Sequence, residues 1–534
     1  MRRLAREASV PPIVGGMDLR DESKKFRARR ARVREAMGGE ARIDAIHARG
    51  RLTVRERIDR LLDPGSFEEV GTFARSEHPG DAETTPGDGK IGGFGKIAGR
   101  NVGVAGDDIT VKRGSSSVVG SRRLLRISEQ CVSNGFPFVY FGETGGARIP
   151  DCLGAEGFSK VPLSLTSARR RRAVPMVTAI VGESFGGSSF LSAFSDLVIQ
   201  VKGSCLSVTG PRVVEMATGE AIDNEALGGT AVHAKVTGQI DRVAEDEDDA
   251  IAQVKTFLSY LPDNAWSEAA RTPWDGRLED DEAIADLVPL RRTRAYDVRK
   301  VVAHLSDDGH VFEIKPDFGR SLSTSLARVA GRSVGFIASN PMFFAGAITP
   351  DACDKATRFI CLCDAFNLPI VFLQDVPGFM VGRKAEHERL LTKTIQFAYA
   401  LGQAEVPRFT IILRKAFGLA FFSLGGSHMG SERILAWPNA EIGFMDPVVG
   451  ANVLYADQLK AAPDRAARDA MVEQIAQGFR KDTNPDGAAG IMAIDEIIAP
   501  AETKRWLRAE ISRVRVKVPP EGEVKPLSSW PTCF

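Results

Sequence analysis

No stretch of this sequence approaches the roughly 18 consecutive apolar residues that a bilayer-spanning helix needs. Charge of one sign is also lacking. Lys and Arg number 70 against 69 Asp and Glu, leaving a net charge of +1. No bulk attraction toward nucleic acid or a membrane surface is expected from that balance. Seven cysteines in 534 residues do not make a disulfide framework. Only Cys361 and Cys363 lie close together, and C-x-C without a second pair does not make a zinc site. H-E-x-x-H and P-loop motifs are absent, and no metal is expected. The opening Met1-Arg2-Arg3-Leu4-Ala5-Arg6 is basic but lacks the apolar core of a secretory signal. It reads as a basic surface helix, and a cytoplasmic location is the expectation.

What is present is a repeat. Adding 232 to a position in the first half lands on a similar residue in the second. Gly99-Arg100-Asn101-Val102-Gly103 answers to Gly331-Arg332-Ser333-Val334-Gly335, and Pro137-Phe138-Val139-Tyr140-Phe141 to Pro369-Ile370-Val371-Phe372-Leu373. Gly146 falls on Gly378, and Phe185-Gly186 on Phe417-Gly418. Shared composition does not hold register over more than eighty residues, so the chain carries two copies of one unit, far longer than a solenoid repeat.

Each copy reads as β-rich sequence, helix, short buried strand, helix, and second buried strand. That alternation implies βαβ crossovers and a largely parallel α/β sheet. Near-continuous apolar runs fit strands covered on both faces. Residues 1–62 read as a charged helical region packed outside the first unit, 63–290 as the first domain and 291–534 as the second. A linker is expected from about Leu261 to Pro289.

Two sites in each copy place glycine where a strand turns into a helix. These are Gly145-Gly146-Ala147-Arg148 and Gly186-Gly187-Ser188 in the first, Pro377-Gly378-Phe379 and Gly418-Leu419-Ala420 in the second. Glycine there permits unusual dihedrals and close approach of a ligand. Backbone N–H groups at a helix start favour developing negative charge, which makes an oxyanion hole. One such turn would be only a tight turn; two, kept in both copies, point to chemistry. Gly87-Asp88-Gly89-Lys90-Ile91-Gly92 matches a dinucleotide fingerprint but follows a polar loop, so a turn is expected. The run Arg169 to Arg172 reads as a solvated helix face, with contact to coenzyme A phosphates as the other possibility. Gly182-Glu183-Ser184-Phe185-Gly186 matches the nucleophile elbow of serine hydrolases. Against that reading, the counterpart of Ser184 is Ala416, and none of His233, His304, His310, His387 and His428 stands in a recognisable triad context.

The segment Gly145-Gly146-Ala147-Arg148-Ile149-Pro150 resembles the signature of acyl-CoA carboxylase β subunits. So do His47 to Ile58, Gly210-Pro211 with Leu227-Gly228-Gly229, Cys363-Asp364-Ala365-Phe366-Asn367, Asp375-Val376-Pro377-Gly378-Phe379, and Ala436-Trp437-Pro438-Asn439-Ala440-Glu441. The match runs in order from about residue 40 to 515, and the chain resembles propionyl-CoA and acetyl-CoA carboxylases. The resemblance implies two tandem crotonase-like domains and a carboxyltransferase acting between carboxybiotin and the α-carbon of an acyl-CoA. It further implies acyl-CoA bound by the first domain and biotin by the second domain of a neighbouring protomer, in a hexamer built as a trimer of dimers. In that scheme the biotin anion takes the α-proton and the enolate attacks CO2. Gly186, Gly187 and Ser188 would serve the thioester oxygen, and Gly418, Leu419 and Ala420 the ureido oxygen. Gly145 to Arg148 would bind acyl-CoA and Pro377 to Phe379 biotin.

The chain departs from the family pattern at Leu419, where glycine is usual, and at Phe422, a position tied to acyl size. Phe185 and Ser188 also replace small residues. No methionine is followed by lysine, so the biotin-bearing motif, like biotin carboxylase, is expected on partner chains. A decarboxylase subunit running the same transfer in reverse, and a scaffold subunit with a drifted site, are the alternatives within this resemblance.

Overall fold

The computed structural model describes residues 18–78, 80–162 and 169–530; the opening Met1 to Arg6 lies outside them. The first sheet contains β1 (Glu68–Glu69), β2 (Lys90–Ile97), β3 (Arg100–Asp107), β4 (Phe138–Thr144), β5 (Met176–Phe185), β6 (Leu197–Val201), β7 (Cys205–Ser207) and β8 (Arg242–Ala244). The order is β1-β2-β3-β4-β5-β6-β8, with β7 on the end of β5. The second contains β9 (Phe312–Ile314), β10 (Leu322–Val329), β11 (Arg332–Ser339), β12 (Ile370–Val376), β13 (Arg408–Phe417), β14 (Arg433–Ala436), β15 (Glu441–Gly443) and β16 (Glu496–Ile497), in the order β16-β14-β13-β12-β11-β10-β9, with β15 on β13. Strands β3 to β6 and β11 to β14 are parallel. They are buried along almost every residue, as their apolar runs require.

The repeat holds at the level of register. Gly103 pairs with Phe138 and Gly335 with Ile370; Thr144 pairs with Ser184 and Val376 with Ala416. The same irregularity falls at Gly142/Thr144 and at Gln374/Val376. Beyond the second glycine turn the spacing becomes 236, since Val177 pairs with Leu197 while Phe409 pairs with Arg433. Four residues have been added there without disturbing the sheet.

Two helices at the start, α1 (Leu19–Ala36) and α2 (Glu40–His47), bury no residue. Helix α1 is held by the Phe26–Phe73 ring contact at 5.5 Å and the Arg34–Glu69 ion pair at 2.9 Å. The next helix, α3 (Val54–Leu61), does not pack outside the first unit as expected. Its Thr53–Glu56 capping box starts it, and Val54, Ile58 and Leu61 enter the core beside β3 and α6 (Glu247–Tyr260). Arg57 is buried with them because Glu143 at 2.9 Å and Glu247 at 2.8 Å pair with it. Its counterpart α7 (Val298–Leu305) buries Val298, Val301, Val302 and Leu305 in the same way. Asp63 and Asp307, which follow these helices, each accept two backbone N–H groups from the β2–β3 and β10–β11 turns.

The crossover helices α4 (Val118–Asn134) and α8 (Pro350–Ala365) connect β3 to β4 and β11 to β12. A further helix, α9 (Leu390–Gln403), precedes β13. The two units meet over a shared apolar cluster that includes Phe257, Phe312 and Phe359. Asp241 of the first unit pairs there with Arg358 at 3.0 Å and Lys315 at 3.3 Å of the second. Among the described residues no helix is long and apolar enough to cross a membrane.

Candidate active site

At the carboxyl end of β4 the chain turns through Gly146, whose φ of 101° excludes most side chains. Gly145 N donates to Arg113 O at 3.0 Å, and Ser116 fastens the turn by donating to Gly146 O and accepting from Arg148 N, each at 2.8 Å. The second unit repeats this with Ile348, which donates to Gly378 O at 3.1 Å and accepts from Met380 N at 2.9 Å. At the end of β5 the backbone reverses at Gly186 (φ 63°, ψ −122°) into a short helix, α5 (Gly187–Ala193). At the end of β13 it reverses at Gly418 (φ 62°, ψ −151°) into α10 (Leu419–Ser423). Few L-residues adopt these angles, which is why glycine stands at both.

The two turns of the first unit converge. Ala147, Gly186, Gly187 and Ser188 line one cavity of about 210 Å³, whose walls include Leu124, Leu125, Phe158, Val161 and Phe190. Ser188 N–H, in the first turn of α5, has no acceptor among the described residues. A carbonyl oxygen placed there meets a backbone donor inside an apolar enclosure, where the interaction is strong. In the second unit Leu419 N–H and Ala420 N–H likewise have no acceptor among the described residues. The leucine fits because its side chain points outward, 49% exposed, beside Phe422 at 39%. Pro377 lines a separate cleft of about 500 Å³ with Arg414, Lys415 and Arg480. Gly378 keeps a φ of 140° in its turn, and Phe379 packs against the main core. Val376 pairs with Ala416 just before these turns, so the two turns of this unit leave the same edge of the sheet.

Several expectations need correction. Arg148 is buried, and its guanidinium is held by Asp88 at 2.5 Å and Asp151 at 3.7 Å. It fastens the turn from behind and does not face the cavity. Asp88 belongs to the Gly87 to Gly92 pattern, and it also accepts from Ser117 Oγ and Gly120 N. That pattern is a buried structural turn. The arginine run is divided: Arg169 and Arg171 are exposed, whereas Arg170 is buried against Asp196 at 2.7 Å and Arg172 reaches Asp196 and the carbonyls of Ser528 and Trp530. Ser184 is fully buried in β5, and its hydroxyl donates to Ser188 Oγ at 2.8 Å. With no histidine partner among the described residues and no exposure, it is not placed as a hydrolase nucleophile.

Lys90 and Tyr140 also line the 210 Å³ cavity, and the motifs gave no reason to single them out. The repeat contained a signal for them: their counterparts are Leu322 and Phe372. The carboxylate of Asp107 accepts from Tyr140 Oη at 2.7 Å. Burial, and then that carboxylate, push the phenol well above its ordinary value, so it stays a neutral donor. Among the described residues no group of three or more His, Cys, Asp or Glu is placed to hold a metal.

Two tandem α/β units, each with paired glycine turns at the carboxyl edge of its parallel strands, define a double crotonase-type fold. The carboxyl transferase domain family matches residues 45–516, and the chain belongs to it as a carboxyltransferase of the biotin-dependent acyl-CoA carboxylase type. The chain is 36% identical over 495 residues to the methylmalonyl-CoA carboxyltransferase 12S subunit of Propionibacterium freudenreichii subsp. shermanii, covering 92% of this chain and 94% of that one. It is 34% identical to the propionyl-CoA carboxylase carboxyltransferase subunit of Haloferax mediterranei, over 94% and 97% of the two chains. A hexameric transcarboxylase 12S structure with methylmalonyl-CoA and methylmalonic acid bound superposes with a TM-score of 0.85 at 33% identity, covering 96% and 99%.

Proposed function

We propose that the first unit holds the acyl-CoA and the second the biotin of a partner protein, and that the chain assembles as a hexamer in the cytoplasm. The observation that carries the first half is the convergence of both glycine turns on one apolar cavity. Gly145 to Ala147, with Arg148 bracing them, shape one wall. Gly186 and Gly187 turn the chain so that Ser188 N–H, at the head of α5, holds the thioester oxygen as it gains charge in the enolate. Leu124, Leu125 and Phe190 exclude water, which strengthens that contact.

Biotin, when bound, supplies the carboxyl group and the base. The donor set of the second unit fits it: the amides of Leu419 and Ala420 suit the ureido oxygen, and Pro377, Gly378 and Phe379 shape the approach. Leu419 and Phe422, and Val381 and Phe444 close in sequence to the two turns, stand exposed, and exposed apolar side chains of this kind suit contact with another protomer. Phe422 there would narrow the acyl pocket. The test is a panel of acyl-CoA thioesters assayed with the biotin-carrying partner, biotin carboxylase, ATP and labelled bicarbonate. Label fixed on the acyl group is expected; label fixed on none of them overturns the reading.

A further inference from the structure

Beneath the head of α5 lies a line of buried polar side chains for which the reaction as read above has no use. Ser184 Oγ donates to Ser188 Oγ at 2.8 Å. Ser188 lines the same cavity as the Tyr140 phenol, and its hydroxyl acts on that phenol to lower its pKa against the larger upward push of burial. Tyr140 Oη donates to Asp107 Oδ2 at 2.7 Å, and that oxygen also accepts from Glu143 N at 2.9 Å. Asp107 Oδ1 pairs with Lys90, whose ammonium also donates to Gly114 O at 2.9 Å. All five side chains are at most 4% exposed. Burying so many polar groups is costly unless each is satisfied, so such a line persists where a defined geometry is needed.

The second unit shows that the fold does not need it. The counterparts of Lys90, Asp107, Tyr140, Ser184 and Ser188 are Leu322, Ser339, Phe372, Ala416 and Ala420, on strands of the same register. There a different fastening serves α10. Gln374 Nε2 donates to Phe421 O at 3.0 Å and to Leu424 O at 2.8 Å, tying the helix to the central strand. The counterpart of Gln374 is Gly142, where a Cβ would lie 2.7 Å from Ser188 Oγ. The two devices therefore occupy the same place and exclude each other. Each ties a helix whose amide faces a reacting oxygen to the strand beneath it. The need is greater in the first unit, where Gly186-Gly187 leaves the entry to α5 with no side chain to constrain it. Lys90 extends the fastening to the other turn, because Gly114 lies in the loop that carries Ser116, the residue that pairs with the turn at Ala147.

We propose that Tyr140, held by Asp107 and Lys90, is a positioning residue for the acyl-CoA half of the reaction: through Ser188 Oγ it fixes the first turn of α5 and so the direction of Ser188 N–H. This rests on the reading of that turn as the oxyanion hole. Tyr140→Phe removes the hydroxyl and keeps the ring. The probe is carboxyl transfer from methylmalonyl-CoA to free biotin, catalysed by the full chain. The expected result is a kcat about 10–100-fold lower, since a displaced oxyanion donor acts only in the transition state, with KM for methylmalonyl-CoA within about threefold. The triple variant Tyr140→Phe/Gly142→Gln/Ser188→Ala gives the first unit the fastening of the second and should recover at least about tenfold of the lost kcat. Wild-type kcat in Tyr140→Phe overturns the proposal, as does a loss that follows only the folded fraction or that the triple variant leaves unrelieved. A wild-type chain that transfers no carboxyl group from methylmalonyl-CoA strikes the oxyanion reading itself, a failure distinct from that of the variants.

Discussion

Gly186→Ala isolates the oxyanion turn from packing. A Cβ at Gly186 would meet no atom within 4 Å, so the substitution introduces no clash. What it changes is the cost of φ 63° with ψ −122°, a combination that alanine adopts only with strain of about 1–3 kcal/mol. The chain can bear that strain, or relieve it by swinging the peptide between residues 186 and 188. Relief is the cheaper course, and it turns Ser188 N–H away from the cavity. A misdirected donor of this kind costs about 100–1,000-fold in kcat, or about 2.7–4 kcal/mol. Gly219 provides the control. It ends the helix Pro211–Thr218 with φ 77° and ψ 2°, is exposed, and has the same open space for a Cβ. Gly219→Ala strains the backbone by about 1–2 kcal/mol without touching the cavity. Transfer from methylmalonyl-CoA to free biotin, read beside the thermal midpoint, separates the two. Gly219→Ala should lower the midpoint by a few degrees and keep its kcat; Gly186→Ala should lose kcat by at least about 100-fold. A Gly186→Ala enzyme with the kcat of Gly219→Ala would refute the assignment of that turn.

Ser184→Ala deletes one hydrogen bond to Ser188 and should cost at most about tenfold in kcat, whereas a nucleophile would lose several orders of magnitude; an acyl group trapped on Ser184 would sink the carboxyltransferase reading. Phe422→Ala should shift the kcat/KM ratio toward longer or branched acyl-CoA thioesters by roughly tenfold, because each methylene accommodated in an apolar pocket is worth about 1–3 kcal/mol; an equal change for every thioester would place the selecting residue elsewhere. Lys355 is buried, donates among the described residues to Phe318 O and Leu322 O, and has its pKa lowered to about 7 by burial. A depressed lysine destabilises fully below its folded value and less as pH rises toward the unfolded value, so Lys355→Met should gain more stability at pH 7 than at pH 9. The ceiling is about 5 kcal/mol, less about 1–3 kcal/mol for the carbonyls left without a donor; a gain equal at both pH values would show that the lysine keeps its charge with an undepressed pKa, as it would on reaching water.

The double unit was legible because buried parallel strands tolerate little drift. A one-residue slip moves every side chain to the other face, so the offset of 232 survives from Lys90 to Phe185. The glycine turns were legible for the same reason, since only glycine suits Gly186 and Gly418. What sequence reading missed is what side-chain partners decide. Residues 54–61 read as a charged outer helix because Arg55, Glu56, Arg57, Asp59 and Arg60 dominate it; the acids that allow Arg57 inside, Glu143 and Glu247, stand 86 and 190 residues away. Arg170 and Arg172 misled in the same way, their partner Asp196 lying beyond β5. Lys90, Asp107 and Tyr140 were visible only as polar residues whose counterparts are not ionisable, and that contrast becomes meaningful only once the strands are seen in one register.

The matching registers of the two sheets have a consequence for how the chain acquires its structure. Two copies of one strand pattern in a single polypeptide are templates for each other, and β3 could seek β12 as readily as β4 during collapse. The backbone spacing offers no discrimination. The buried line from Lys90 to Ser188 does. Paired with β12, Asp107 would face Phe372 with no phenol to donate to it, and a carboxylate stripped of its donor in the interior costs several kcal/mol. The exchanged pairing is thus penalised from the moment the strands dehydrate, so the side chains that aim an amide in the finished enzyme also sort the two halves of the chain as it folds.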